Sequence, residues 1–265
     1  MFKTVTSKDI FLTIVAIILI STFLSYFNNI NIISAIFISI LIIALTISVF
    51  RFIRKKLLAR KIISHGPKNK KVVALTFDDG PYSPYTEQIL DVLKEKDIKA
   101  TFFVLGYNAE RNIETIKRIV NEGHQLGNHS YSHLNFKKSS KEKISEEIST
   151  TNEILFKITG QKVKIMRPPL GAKNFDVVNA AQKLGLKTIL WSAAGQDWAN
   201  HGIDKTVEKT LKEFKDGGII LLHDGDSLES KALREETIAV TTILIEKLIT
   251  QGYKFLTIDE LLALN

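Results

Sequence analysis

The stretch VVALTFDDGP, residues 72–81, carries an apolar run straight into two adjacent carboxylates and a turn. Val72 to Phe77 reads as a short buried strand, because it is an unbroken apolar run closed by turn residues. Asp78 and Asp79 then stand side by side where the interior ends. Repulsion and partial burial disfavour such a pair in its charged form unless a cation lies beside it. Taken alone, Asp-Asp-Gly-Pro is also ordinary turn chemistry. The surrounding chain has to decide between the two.

Working outward, strand-like and helix-like segments alternate to the C-terminus. Strands are expected at Val72–Phe77, Thr101–Leu105, Gln125–Asn128, Val163–Met166, Thr188–Trp191, Gly218–Leu222 and Phe255–Thr257. Pro84 with Ile89, Leu90 and Leu93 marks the first intervening helix, and Ser139 with Glu142 predicts a capping box for another. Seven strands alternating with helices, without repeats, indicate an α/β fold on a parallel sheet, open or closed into a barrel.

Upstream the character changes. Ile10–Phe27 is eighteen residues without a charge, and 30–50 is a second apolar stretch of twenty-one. Each is long enough to cross a hydrocarbon core of ~30 Å. With the turn-like NNIN at 28–31 between them, two transmembrane helices are expected. RFIRKKLLARK, 51–61, has six basic residues and no acid, and should lie along an anionic lipid surface. SHGPKNKK then reads as a linker. The expected domains are a membrane hairpin with its basic segment over 1–67 and a soluble domain over 68–265.

The net charge of +8 belongs to the first segment: 1–67 carries +7 and 68–265 only +1. Nucleic acid is therefore not an expected partner. The chain has no cysteine, which excludes disulfides, thiolate metal ligands and a Cys nucleophile. No protein partner can be inferred.

On a parallel α/β sheet, working residues collect after the C-terminal ends of the strands. Asp78 and Asp79 do so. His129 and His133 follow the third strand with the i, i+4 spacing that puts two imidazoles on one side of a helical turn. With a strand-end Asp they make a His₂Asp set, which leaves a metal coordination position open for water. Arg167 closes the fourth strand in IMRPPLG, Asp197 and Trp198 follow the fifth, and His223 with Asp224 ends the sixth. Each has an ordinary structural explanation singly, but five polar clusters after five of seven strands point to one site.

These residues resemble the motifs of the polysaccharide deacetylase family, the fourth family of carbohydrate esterases. TFDDG at 76–80, HSYSH at 129–133, RPPLG at 167–171, DW at 197–198 and LLH at 221–223 occur in that family's order, and ATFFVLG at 100–106 is similar to its second strand. The resemblance implies a distorted (β/α)₇ barrel and N-deacetylation of N-acetylated amino sugars in a glycan. It implies that Asp78 is the general base and that Asp79, His129 and His133 bind a divalent metal, most simply zinc, with cobalt or nickel as alternatives. Arg167 would pair with the base, His223 would be the general acid, and Asp197 would hold its imidazole. Trp198 and Leu222 would wall the acetyl pocket, with a backbone N–H near Tyr82 assisting at the oxyanion. Two departures stand out: Ala194 replaces the first Asp of the usual D-x-x-D-W, and Leu170 replaces an aromatic in the third motif.

The two apolar stretches imply a membrane-bound enzyme, and the polymeric substrates of the family imply a catalytic domain outside the cell, whereas the basic residues of 51–61 with Lys3 and Lys8 favour the cytoplasmic side by the positive-inside bias. Two alternatives remain: a cytoplasmic deacetylase of lipid- or nucleotide-linked amino sugars, and a catalytically silent glycan-binding protein on the same fold.

Overall fold

A computed structural model describes residues 7–27, 31–199, 201–226 and 233–264. Lys3 and residues 28–30 of the expected NNIN turn lie outside them. The chain divides into two units, Met1–Ala59 and Arg60–Asn265. The first contains helices α1 (Ser7–Phe27) and α2 (Ile32–Ala59). Among the described residues one helix, Ile33–Ala59, is long and apolar enough to cross a membrane, its most apolar 18-residue stretch having a mean hydropathy of 2.7. Arg51, Arg54, Lys55 and Lys56 are exposed and belong to α2 itself rather than to a separate segment.

The second unit runs β1 (Ile62–Ile63), β2 (Val72–Asp78), α3 (Tyr85–Glu95), β3 (Thr101–Val104), α4 (Gly106–Arg111), α5 (Ile113–Asn121), β4 (Gln125–Asn128), α6 (Lys141–Thr159), β5 (Ile165–Met166), α7 (Phe175–Lys183), β6 (Lys187–Ile189), β7 (Ala193–Ala194), α8 (Ile203–Glu213), β8 (Gly218–His223), α9 (Glu235–Thr250), β9 (Lys254–Phe255) and α10 (Ile258–Leu262). The nine strands form one sheet in the order β1-β6-β5-β4-β3-β2-β8-β7, with β9 also on β2, and every ladder is parallel.

The expected parallel α/β sheet is present, but two strands more than expected build it. β6 and β7 lie near opposite ends of that path, yet only three residues separate them along the chain. Four peptide steps reach at most ~14 Å, so the sheet must curl round on itself. Its two end strands do not pair with each other, leaving a distorted, open barrel. The expected linker is also absent as such. Ile62 and Ile63 pair with Thr188 and Ile189, and His65 bridges to Gly218. The unit thus starts at the end of α2, not at 68, because a partner strand 126 residues away captures this short segment.

Side-chain alternation sorts the core into two faces. Val73, Leu75, Phe77, Phe102, Val104, Ile220 and Leu222 point outward and pack beneath the helices, with Phe77 and Phe102 stacked at 5.1 Å. Val72, Ala74, Phe103, Ile165, Ile189 and Ile219 share a second cluster, with Leu261 of α10 among them. Ser140, not Ser139, caps α6 by accepting from Lys143 N–H, and the one complete capping box among the described helices is Thr257–Glu260 at α10.

Candidate active site

Strand ends bring the polar residues together. Asp78 is the last residue of β2, in register with His223 of β8, so these two side chains stand on neighbouring strands and the same face. Asp79 follows with φ +75, a left-handed conformation that breaks the strand alternation and lets its carboxylate reach the same side as that of Asp78. Its amide donates to Phe103 O (3.2 Å) and its carbonyl accepts from Asn108 Nδ2 (2.7 Å).

His129 and His133 meet Asp79 without a helical turn. The chain after β4 bends instead, with Ser130 (φ +72) and His133 (φ +59) both left-handed. Asn128 Oδ1 holds the Ser130 amide and Ser130 Oγ holds the His133 amide. These bonds do what helical geometry was expected to do. Asp79 Oδ1 ends 3.3 Å from His129 Nε2 and 3.4 Å from His133 Nε2.

The three side chains fit a metal ion. Their ligand atoms lie within 4.8 Å of one another. Tetrahedral ligands at ~2.0–2.1 Å from a zinc ion sit ~3.3–3.4 Å apart, the spacing seen here. His129 Nδ1 contacts Arg167 O at 2.7 Å, which makes Nδ1 the protonated nitrogen and leaves the Nε2 lone pair facing Asp79. Asp79 Oδ1 is buried and has no hydrogen-bond partner within the protein, the signature of an atom shaped for an ion. Burial pushes the Asp79 carboxyl up, but the positive potential of His129, His223 and His133 around it outweighs this and holds it well below the usual range.

Arg167, fully buried, donates from Nη1 to Asp78 Oδ1 at 2.6 Å and to Thr76 Oγ1 at 2.8 Å. Its guanidinium lies 4.1 Å from the Phe103 ring centroid. Asp78 Oδ2 is left facing the triad, 3.8 Å from His129 Nε2.

On the other side, Asp197 grips His223 with both oxygens: Oδ1 accepts from Nδ1 at 3.0 Å and Oδ2 from the backbone N–H at 2.8 Å. Thr237 Oγ1 of α9 also donates to Oδ2. Burial lowers the His223 pKa, but the Asp197 charge and hydrogen bond, with Asp79 and Asp78 behind them, raise it to about 9. Trp198, 43% exposed, stands edge-on to this imidazole at 4.9 Å.

Two expected placements are corrected. Leu222 faces the helices in the outer core; strand parity puts Leu221, in register with Thr76, on the site's face. Tyr82 N–H is engaged by Thr86 Oγ1 at 2.8 Å and is not free for an oxyanion, while its ring stacks on Tyr85. Ala194 is buried in β7 with its amide on Glu213. Leu170, 57% exposed with φ +54, stands at the surface.

Several participants gave no motif signal. Thr237 is one residue of an ordinary helix. Asn108 and Thr86 look like helix-surface polar residues until their partners are known. Asp224 is fully buried, and burial raises its carboxyl to about 7 even though Thr86 hydrogen-bonds to it.

Residues 65–189 match the family model described as polysaccharide deacetylase. The chain is 39% identical over 198 residues to a peptidoglycan-N-acetylglucosamine deacetylase of Bacillus cereus, covering 74% of this chain and 90% of that protein. Among solved structures it is similar to a peptidoglycan N-acetylglucosamine deacetylase at 35% identity and a TM-score of 0.73, covering 77% and 93% of the two chains. It is also similar to a CE4 family pseudoenzyme from Bacillus anthracis, at 34% identity and a TM-score of 0.69, covering 76% and 68%.

Proposed function

We propose that this chain, which belongs to the polysaccharide deacetylase family, is a membrane-anchored, metal-dependent enzyme that removes the acetyl group from N-acetylated amino sugars of peptidoglycan. The observation that carries the reading is the convergence, on one end of the sheet, of a ligand triad flanked by a buried Asp78–Arg167 pair and a part-buried Asp197–His223 pair. Because a protein described as a pseudoenzyme shares the fold, fold alone does not argue for turnover. The complete set of side chains does.

Asp79, His129 and His133 would hold the ion. When bound, a divalent cation supplies Lewis-acid chemistry, polarising the acetamide carbonyl and acidifying an attacking water. Asp78 acts as general base through Oδ2, since Oδ1 is committed to Arg167. Arg167 fixes that carboxylate and offsets its charge in a buried setting. His223 carries a proton on Nε2 because Asp197 favours the imidazolium, and delivers it to the amine as the C–N bond breaks. Asp197 and Thr237 orient the ring. Leu221 and Trp198 supply apolar surface for the acetyl methyl. Acetate and a free amino sugar leave.

Helix α2, the one described helix long and apolar enough to cross a membrane, supports an anchor; a second span through α1 is proposed on the sequence alone. The glycan substrates of the relatives support an external catalytic domain. The basic residues of α2 favour the opposite side by the positive-inside bias, and with it a lipid- or nucleotide-linked substrate.

The test is acetate release from purified N-acetylated peptidoglycan, chitin oligomers and poly-N-acetylglucosamine, after chelation and after zinc is restored. We expect release from peptidoglycan that is lost with chelator and regained with zinc. No release from any of the three with zinc bound would overturn the enzymatic reading.

A further inference from the structure

We propose that Asp224 is a positioning residue that sets the metal affinity of the site by clamping the turn carrying Asp79. The inference rests on the metal reading above and goes beyond it, because Asp224 touches neither the substrate position nor the ion.

The turn at 78–82 is built against steric preference. Asp79 adopts φ +75, which a side chain other than glycine holds only when its surroundings impose it. The surroundings are specific. Gly80 N–H donates to Asp224 Oδ1 at 3.2 Å. Thr86 Oγ1 accepts from Tyr82 N–H at 2.8 Å and donates to Asp224 Oδ2 at 2.7 Å. One buried carboxylate thereby ties down the residue after Asp79 directly and Tyr82 through a relay. It ties β8 to the end of β2 and to the start of α3 as well, because Asp224 N–H also donates to Asp78 O at 3.1 Å.

The approach is so close that two glycines are required. A Cβ at Gly80 would collide with the Asp224 carboxylate, and one at Gly225 would collide with Asp79 O and Gly80 N. Asp224 makes no ion pair among the described residues, and burying a carboxylate in that way is costly. If the strand end needed only filling, an apolar residue would serve at lower cost. What Asp224 provides is two acceptor oxygens at the points where the turn presents donors.

The experiment uses the full chain in detergent and zinc alone as the probe. Zinc affinity is measured by competition with a chromophoric chelator for wild type, Asp224→Asn and Thr86→Val. Both substitutions nearly keep shape; the first exchanges an acceptor for a donor, the second cuts the relay. Each should weaken zinc binding ~10–100-fold, the range for groups that support ligands without touching the ion. The urea midpoint of the chelator-treated proteins should stay near wild type. Zinc affinity within threefold of wild type in both variants overturns the proposal. A lowered midpoint with unchanged affinity also overturns it, assigning a role in folding only. Should Asp224→Asn fail to fold, Thr86→Val decides. Wild-type protein that takes up no zinc refutes the metal reading itself, which is a distinct result.

Discussion

Replacing Arg167 by Met should be the most damaging single change around the site, and the reason is the charge left behind. Arg167 is fully buried, and the Asp78 side chain it pairs with is 4% exposed. The variant keeps most of the volume but takes from Asp78 the guanidinium that hydrogen-bonds to it and offsets its charge, while Thr76 loses its guanidinium donor and the Phe103 ring its cation. Removing one partner of a buried pair costs about 3–5 kcal/mol. At urea slopes of ~2–3 kcal/mol/M for a unit of this size, the midpoint should fall by roughly 1–2.5 M. Both tryptophans, Trp191 and Trp198, lie in the catalytic unit, so their fluorescence reports its unfolding and not that of α1 and α2. The decisive arm is the double variant. Asp78→Asn removes the orphaned charge, so Arg167→Met with Asp78→Asn should be more stable than Arg167→Met alone by ~1–3 kcal/mol, a coupling typical of contacting residues. A loss below ~1 kcal/mol for Arg167→Met, or strictly additive effects in the pair, refutes the account of a coupled buried ion pair.

Other expectations follow from the same geometry. Asp78→Asn should cut turnover ~10²–10⁴-fold while metal content measured by emission spectrometry stays near wild type, whereas Asp79→Ala should lose both; the reverse pattern would exchange the two roles. His223→Ala should retain metal and lose ~10²-fold or more in kcat. Activity should fall as pH rises through the His223 pKa, because the acid must be protonated; that limb should lie between the ordinary ~6.5 and about 9, since a bound cation offsets the Asp79 contribution, and Asp197→Asn should move it down. An unmoved limb separates Asp197 from His223. Protease added to wall-less intact cells should digest the unit beginning at Arg60; protection until the membrane is lysed would favour a cytoplasmic site and a precursor substrate.

The sequence was most informative where one element suffices. β2 is an unbroken apolar run, and the residues after the strands are chemically conspicuous, so Asp78, Asp79, His129, His133, Arg167, Asp197 and His223 could be named from the chain alone. What it concealed depends on partners distant in sequence. Ile62 and Ile63 look like the tail of a basic segment until β6 pairs with them. Leu222 and Leu221 differ only in strand parity, which β2 fixes through its register with β8. The Tyr82 amide looks free until Thr86 is found beside it. His129 and His133 have helical spacing, yet left-handed residues and two side-chain-to-backbone bonds bring them together. Asp224 was visible as a strand-end residue, but its two turn partners could not be read without the fold.

The backbone around the ligand triad bears on how a metal ion would be acquired there. Asp79 is fixed by Phe103, Asn108 and the Gly80 contacts, His129 by its amide on Val104 O and its ring on Arg167 O, and His133 by Ser130. Protein–protein bonds thus assemble the ligands in advance, unlike small zinc domains that fold around their ion. An ion held there would then be able to leave and be replaced without the barrel coming apart. A two-nitrogen, one-oxygen set accepts zinc, cobalt or nickel, and discrimination among such ions depends in part on how much of each is present. The ion found in a purified sample should therefore track the growth medium and buffers, and exchange by dialysis should be reversible. Cellular metal supply, more than the shape of the site, would set which ion the enzyme works with.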